Sequence, residues 1–258
     1  MRLFPLFLLA IPAMATADAP PPPDAAPAVL VPKIVARFPH DREAFTEGLI
    51  WHRGHLYESV GLEGRSDVRR VDLASGRVLA RGAIPAAMFG EGLAAWKDGL
   101  VSLTWHGGVA YRWNAATLKR TGAAHYSGEG WGLTTLGDAL VRSDGSATLT
   151  VHDPASFAVR RRIAVTLNGK PIDQLNELEA VDGAIFANVW RSPFIVRIDP
   201  ASGRVTAIVD LRAIVAEIGI SDDAEAVANG IAWDAAKRRL FITGKRWPTV
   251  FEISLPKG

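Results

Sequence analysis

The chain has no cysteine. That removes disulfides, thiolate nucleophiles and thiolate metal sites together, so any metal would have to be held by histidine and carboxylates. Histidine is sparse as well, with six residues scattered at 40, 52, 55, 106, 125 and 152. His52 and His55 bracket Arg53-Gly54, which reads as a hairpin turn rather than a ligand pair, and no metal or cofactor is expected. Charge of one sign is not in excess, since 29 cationic residues face 27 anionic ones over the 258 positions. Without a basic stripe, a nucleic-acid partner is not expected. The one strongly apolar run, at the N-terminus, is too short to span a bilayer.

That run has the layout of an address. Arg2 supplies the positive charge, Leu3 to Pro12 the apolar core, and Ala15-Thr16-Ala17 the small residues of a cleavage site, so residues 1–19 read as a secretory signal peptide. Cleavage after Ala17 or Ala19 leaves a proline-rich linker over 20–32, with five prolines between Pro20 and Pro27. The expectation is a periplasmic or secreted protein, free of the membrane in its mature form and monomeric.

What is present in quantity is strand signal. From Lys33 onward, period-two alternation and turn residues recur every eight to twelve positions. One phrase returns five times with changes: Phe45-Thr-Glu47-Gly-Leu49, Phe89-Gly-Glu91-Gly-Leu93, Glu129-Gly-Trp131-Gly-Leu133, Leu175-Asn-Glu177-Leu-Glu179 and Val227-Ala-Asn229-Gly-Ile231. Glu47, Glu91, Trp131, Glu177 and Asn229 are separated by 44, 40, 46 and 52 residues. A second marker, the turn at Asp72, Asn114, Asp153 and Asp199, keeps step at 42, 39 and 46. Two markers in phase at this period predict an all-β, five-bladed propeller over 33–258. The last unit lacks an outer strand, and Lys33 to Phe38 has strand composition without a unit of its own. It is expected to supply that strand and close the ring. Leu211 to Ile218 is the one expected helix, a short insertion before the last blade.

In a propeller the first strand of each blade lines the channel and the second runs back beside it. Starts of first strands and ends of second strands therefore share one mouth. The starts bring Phe45, Glu47, Glu91, Trp131, Asn176, Glu177 and Asn229; the ends bring Trp105, Ser143-Asp144, Trp190 and Lys245. Each has a plain structural alternative. Glu47 could cap a neighbouring strand, Glu177 and Glu179 could be one solvated and one paired charge, and Asp144 beside Gly145 could be a turn residue. Lys245 could lie in a surface turn, and the tryptophans could be core. Trp51, Trp96 and Trp233 share a different place and read as packing between blades. Carboxylates crowded into a partly dry mouth cannot all ionise, so one should have a raised pKa and carry protons. Glu91 is expected in that role because its flanking glycines leave it accessible. A covalent Ser or Cys mechanism is unsupported.

The phrases together resemble the plant and bacterial type of glutaminyl-peptide cyclotransferase. Those named above are joined by Leu56-Tyr-Glu-Ser59, Leu103-Thr-Trp105, Ser143-Asp-Gly145, Ala187-Asn-Val-Trp190 and Thr243-Gly-Lys-Arg-Trp247, in the same order over about residues 33 to 255. The resemblance implies a five-bladed propeller that converts N-terminal glutamine of peptides and proteins to pyroglutamate with release of ammonia, unrelated to the zinc-dependent animal enzyme. It places the family's essential glutamate on Glu91, its pocket aromatics on Phe45, Trp105, Trp131 and Trp190, its amide on Asn176 and its lysine on Lys245. Plant members tend to have glutamine where this chain has Glu47, which should alter the proton balance of the pocket. Two other readings stay open at this stage: a non-catalytic propeller that binds peptides, and a calcium-dependent propeller lactonase using Glu47, Asn176 and Asn229.

Overall fold

The structure is a computed structural model that describes residues 26–219 and 223–256. The expected signal peptide and most of the proline-rich stretch lie outside these residues. The described chain is nearly all β, in five mainly antiparallel sheets that follow one another along the sequence and a small two-stranded ribbon, Thr166–Leu167 with Lys170–Pro171. Blade I comprises Thr46–His52, His55–Val60, Asp67–Val71 and Val78–Ala83; blade II comprises Gly90–Trp96, Gly99–Thr104, Val109–Asn114 and Arg120–His125. Blade III comprises Leu133–Leu136, Ala139–Arg142, Thr148–His152 and Val159–Ala164. Blade IV contains Leu175–Val181, Ala184–Val189, Phe194–Ile198 and Val205–Asp210, and blade V contains Ala228–Asp234, Arg239–Gly244 and Thr249–Ser254. The first strand of each blade contacts the first strands of the blades on either side, and that of blade V contacts that of blade I.

The repeated turn marker has one chemical cause. In blade I the Asp72 carboxylate accepts the Ser75 amide at 2.9 Å; Asn114, Asp153 and Asp199 do the same for Thr117, Ser156 and Ser202. A side-chain acceptor that satisfies an amide three residues on fixes the turn between third and fourth strands. Blade V has no such turn because its fourth strand comes from elsewhere: Lys33–Pro39 pairs antiparallel with Thr249–Ser254. Ala28–Leu30, within the stretch read as linker, adds a fifth strand to blade IV, parallel to Val205–Asp210 and with Leu30 buried.

The core is divided into layers, one between each pair of adjacent blades. Leu49, Leu56 and Val71 of blade I meet Phe241 and Val250 of blade V; Ile50 and Val68 meet Leu100 and Trp113 of blade II. Leu103 of blade II meets Leu133 and Leu140 of blade III; Leu149 meets Leu178 and Ile185 of blade IV; Ile195 meets Ile231 and Phe251 of blade V. Each such side chain stabilises the fold by about 1.5–3 kcal/mol through burial. Trp51 stacks on Phe241 across one boundary, 5.5 Å between ring centres, in line with its expected packing role. The helix Arg212–Ile218 precedes blade V as expected, seats Ile214 in the boundary between blades IV and V, and is held to Lys33–Pro39 by the Arg37–Glu217 ion pair. Among the described residues no helix is long and apolar enough to cross a membrane.

Candidate active site

The residues that face the mouth are delivered by a repeated irregularity. In blades I, II, IV and V the pairing of first and second strands slips at the start of the first strand, between Thr46 and Gly48, Gly90 and Leu93, Leu175 and Leu178, and Ala228 and Ile231. Glu47, Glu91, Asn176-Glu177 and Asn229-Gly230 occupy these bulges. A bulge leaves its extra residue outside the ladder and re-aims its side chain. The glycines serve a different purpose from the expected one. A Cβ on Gly92 would lie 2.5 Å from the Leu133 amide nitrogen, and one on Gly132 would lie 2.1 Å from the Asn176 carbonyl oxygen. They let backbones of neighbouring blades touch. Glu91 is thus only 5% exposed, and it opens onto a cavity rather than onto bulk solvent.

That cavity has a volume of about 310 Å³, at the small end of the range for ligand pockets. Eight of the residues expected at the mouth, Phe45, Glu47, Glu91, Trp105, Trp131, Asn176, Trp190 and Lys245, line it, whereas Ser143, Asp144, Glu177 and Asn229 do not. The aromatic side chains form two runs: Phe45 and Phe89 meet edge to face at 6.1 Å and Phe89 and Trp105 at 5.6 Å, while Trp131 and Trp190 meet at 5.6 Å. Trp105 is 37% exposed and stands at the rim.

The polar end is a coupled cluster. Lys245 Nζ donates to Glu47 Oε1 at 2.7 Å and sits 4.4 Å from the centre of the Phe45 ring. Asn229 Nδ2 donates to Glu47 Oε2 at 3.2 Å and to the Thr46 carbonyl. Burial pushes Glu47 up to about 7, with the charge and hydrogen bond of Lys245 pulling the other way. Burial, then the charge of Glu47, lifts Glu91 well above the usual carboxylate range. The charge of each carboxyl opposes ionisation of the other, which favours a protonated form of the pair. Glu47 has two donors on it, whereas Glu91 Oε2 is buried without a partner, which favours the neutral form at Glu91. Asn176 Oδ1 is likewise buried and unpartnered at the same cavity. A dry pocket holding an ammonium–carboxylate pair, a neutral acid and a free amide oxygen can bind an amine and pass one proton.

Other candidates sort differently. Asp144 accepts the Ser146 hydroxyl at 2.6 Å and is a turn residue. Glu177 does not reach the cavity. Its carboxyl accepts the amides of Leu49 and Ile231 at 3.1 and 2.9 Å, tying blade IV to blades I and V at the channel. Sequence reasoning missed Phe89, Arg191 and Glu225, which also line the cavity. It also missed Glu129, whose Oε2 accepts the indole N–H of both Trp105 and Trp131 at 2.9 Å. Its place two residues before Trp131 was the available signal. Among the described residues no group of three or more His, Cys, Asp or Glu is arranged to hold a metal.

The family model described as glutamine cyclotransferase matches residues 7–255. An Arabidopsis thaliana protein named glutaminyl-peptide cyclotransferase is 39% identical over 234 residues, covering 88% of this chain and 72% of its own length. The crystal structure of Myxococcus xanthus glutaminyl cyclase superposes with a TM-score of 0.85 at 40% identity, covering 89% of this chain and 98% of that one. With whole-chain agreement in sequence and in architecture, the chain belongs to the glutamine cyclotransferase family, as an enzyme of the glutaminyl-peptide cyclotransferase type.

Proposed function

We propose that the cavity cyclises N-terminal glutamine of peptides and proteins, with Glu91 moving the proton. The observation that carries this reading is the buried Glu91 carboxyl, raised above the usual carboxylate range by that burial, set beside the Glu47–Lys245 pair in an aromatic pocket. The nucleophile and the electrophile already belong to one residue, so the pocket's first task is to hold the folded side chain in attack geometry, an effect that can be very large. Trp105, Trp131 and Trp190 enclose the side chain and exclude water; Phe45 closes the wall beside Lys245. Glu47 receives the α-amine. As the amine nitrogen bonds to the carboxamide carbon, the N–H groups of the Asn176 amide nitrogen and of Lys245 orient the carbonyl groups and donate to the developing oxyanion. Glu91 gives its proton to the departing carboxamide nitrogen, the carbon–nitrogen bond breaks, ammonia leaves, and the ring nitrogen returns a proton to Glu91. One proton goes out and one comes back.

A mass-spectrometric time course tests this on a short peptide beginning with glutamine, with and without chelator, beside a peptide beginning with asparagine. Loss of one ammonia from the glutamine peptide alone is expected. Glu91→Gln should keep the fold and lose about 10²–10⁴-fold in kcat; retention of more than about a tenth of the activity rules out Glu91 as the shuttle. Binding of glutamine peptides without product would instead support a propeller that only binds. Residues 1–19 act in this reading as an export signal, and the mature protein works as a monomer in the periplasm or outside the cell. The layout of charge, apolar core and small residues supports the signal. An intact-mass measurement of the exported form beginning at residue 18 or 20 tests cleavage, and light scattering tests the monomer.

A further inference from the structure

The reacting groups account for the closed end of the cavity and leave its open end unexplained. The rim there is formed by Trp190 and Arg191, which follow the second strand of blade IV, and by Glu225, which precedes blade V. Arg191 has no part in the proton transfer. Its guanidinium lies 4.3 Å from the centre of the Trp190 ring and donates to Glu225 Oε1 at 2.7 Å, and both charged side chains are largely open to solvent. Its backbone is in the left-handed region, φ 56°, within a tight turn closed by the Ser192 amide and hydroxyl on the Val189 carbonyl. The direction of the side chain is therefore set by the turn and by the indole beneath it. Of the two cations that line the cavity, Lys245 is buried and paired with Glu47 at the polar end, so Arg191 is the one whose charge stands open to solvent at the rim.

With the α-amine and carboxamide held at the polar end, the rest of the peptide leaves by the rim, which Trp105 flanks on one side and Trp190 and Arg191 on the other. We infer that Arg191 is a docking point for a carboxylate on the residue that follows the N-terminal glutamine, reached by exchanging Glu225 for the substrate. The guanidinium fork fits a carboxylate with two parallel hydrogen bonds. The exchange is cheap, because an exposed ion pair of this kind contributes little and its loss is made good by the new one. The carboxylate can be the free C-terminus of a dipeptide or an acidic side chain at the second position.

The inference rests on the cyclase reading, and its test is a ratio between substrates that the enzyme must turn over in any case. The kcat/KM of Gln-Ala and of Gln-Glu amide are each divided by that of Gln-Ala amide. Wild-type protein is expected to favour the two carboxylate-bearing peptides about 2- to 5-fold, the range of a solvent-exposed charge pair, and less at high salt. Arg191→Ala should bring both ratios to about 1, and Arg191→Lys should restore only part of the preference. Glu225→Gln removes the competing carboxylate and should raise the ratios above the wild-type values, an effect that mere support of the rim would not produce. If only the Gln-Ala ratio responds, the ligand is the chain terminus; if only Gln-Glu amide responds, it is the side chain; either supports the docking point. Equal ratios in wild type and Arg191→Ala overturn it. Absence of turnover on all three peptides would overturn the cyclase reading instead.

Discussion

Glu47, Glu91 and Lys245 should behave as one unit with a single proton to place, and a double-mutant cycle measures this. In Glu91→Gln a neutral amide replaces a neutral acid and can still donate to Glu47, so the cost should stay near that of one hydrogen bond, about 1 kcal/mol. In Glu47→Gln the buried ammonium of Lys245 loses its carboxylate at 2.7 Å. Glu91 stands beside it, however, and can release its proton to become the counter-charge, holding the loss to about 1–2 kcal/mol. The double variant has no carboxylate left in the cluster. A buried charge stripped of its partner costs about 3–5 kcal/mol, so the double should be roughly 2 kcal/mol worse than the sum of the singles. For a chain of this size, about 2–4 °C in Tm per kcal/mol makes that an excess loss of about 4–8 °C. Thermal melts at one pH provide the numbers, and the infrared carbonyl band of a protonated acid provides the proton. Burial raises Glu177 and Glu179 as well, so Glu91 is read as a difference from wild type: the same component of the band should be missing in Glu91→Gln and in Glu47→Gln. Additive Tm changes, or a protonated-acid band that persists unchanged in Glu47→Gln, would refute the shared proton.

Three further outcomes follow from other contacts. Burial holds Glu179 up to about 8 although it accepts the Trp233 amide and the Thr134 hydroxyl. A carboxyl whose folded pKa is raised stabilises the fold below its unfolded value and loses that contribution as pH rises toward the folded value. Between about pH 4.5 and 8 it should cost about 1.4 kcal/mol per pH unit, and urea melts of Glu179→Gln across that window should show a shallower decline than wild type. Glu129→Ala should free both indoles and raise KM for glutamine peptides by about 5- to 30-fold, the worth of one or two hydrogen bonds; an unchanged KM would show that the tryptophans hold their places without it. Gly132→Ala should lower stability by about 1–3 kcal/mol through overpacking against blade IV, whereas Gly137→Ala meets nothing within 4 Å and pays only for its left-handed φ of 59°; equal losses of stability for the two substitutions would contradict the packing role.

The propeller was legible because its turns repeat one local device, an Asp or Asn that satisfies an amide three residues on, and local devices are written in consecutive residues. The site was legible through topology: once first strands begin and second strands end at one mouth, Glu47, Glu91, Asn176, Trp190 and Lys245 must converge. What stayed hidden was made by contacts between blades. Glu129 gains its importance from Trp105, which belongs to another phrase, and Arg191 and Glu225 meet only because blades IV and V adjoin. The strand at Ala28–Leu30 has too little local signal to stand out among prolines and exists through its pairing with blade IV. The glycines beside Glu91 carried the opposite lesson. They suggest exposure when read alone, and they produce burial because the space they vacate is filled, by the backbone of blade III at Gly92 and by the Ile84 side chain at Gly90.

The Lys245–Glu47 pair joins residues 198 positions apart, one on the last blade and one on the first. It lies on the seam of the ring, where the final inner strand meets the first. During synthesis the boundaries among blades I to IV can form before this one, since each needs only sequence already made, whereas the layer between blades IV and V awaits Trp247, Phe251 and Ile253. The charge that orders the pocket is thus the last to arrive, and a nascent or truncated chain carries the aromatic box without its ion pair. Turnover then serves as a read-out of finished assembly: it begins when the circle is complete and not before.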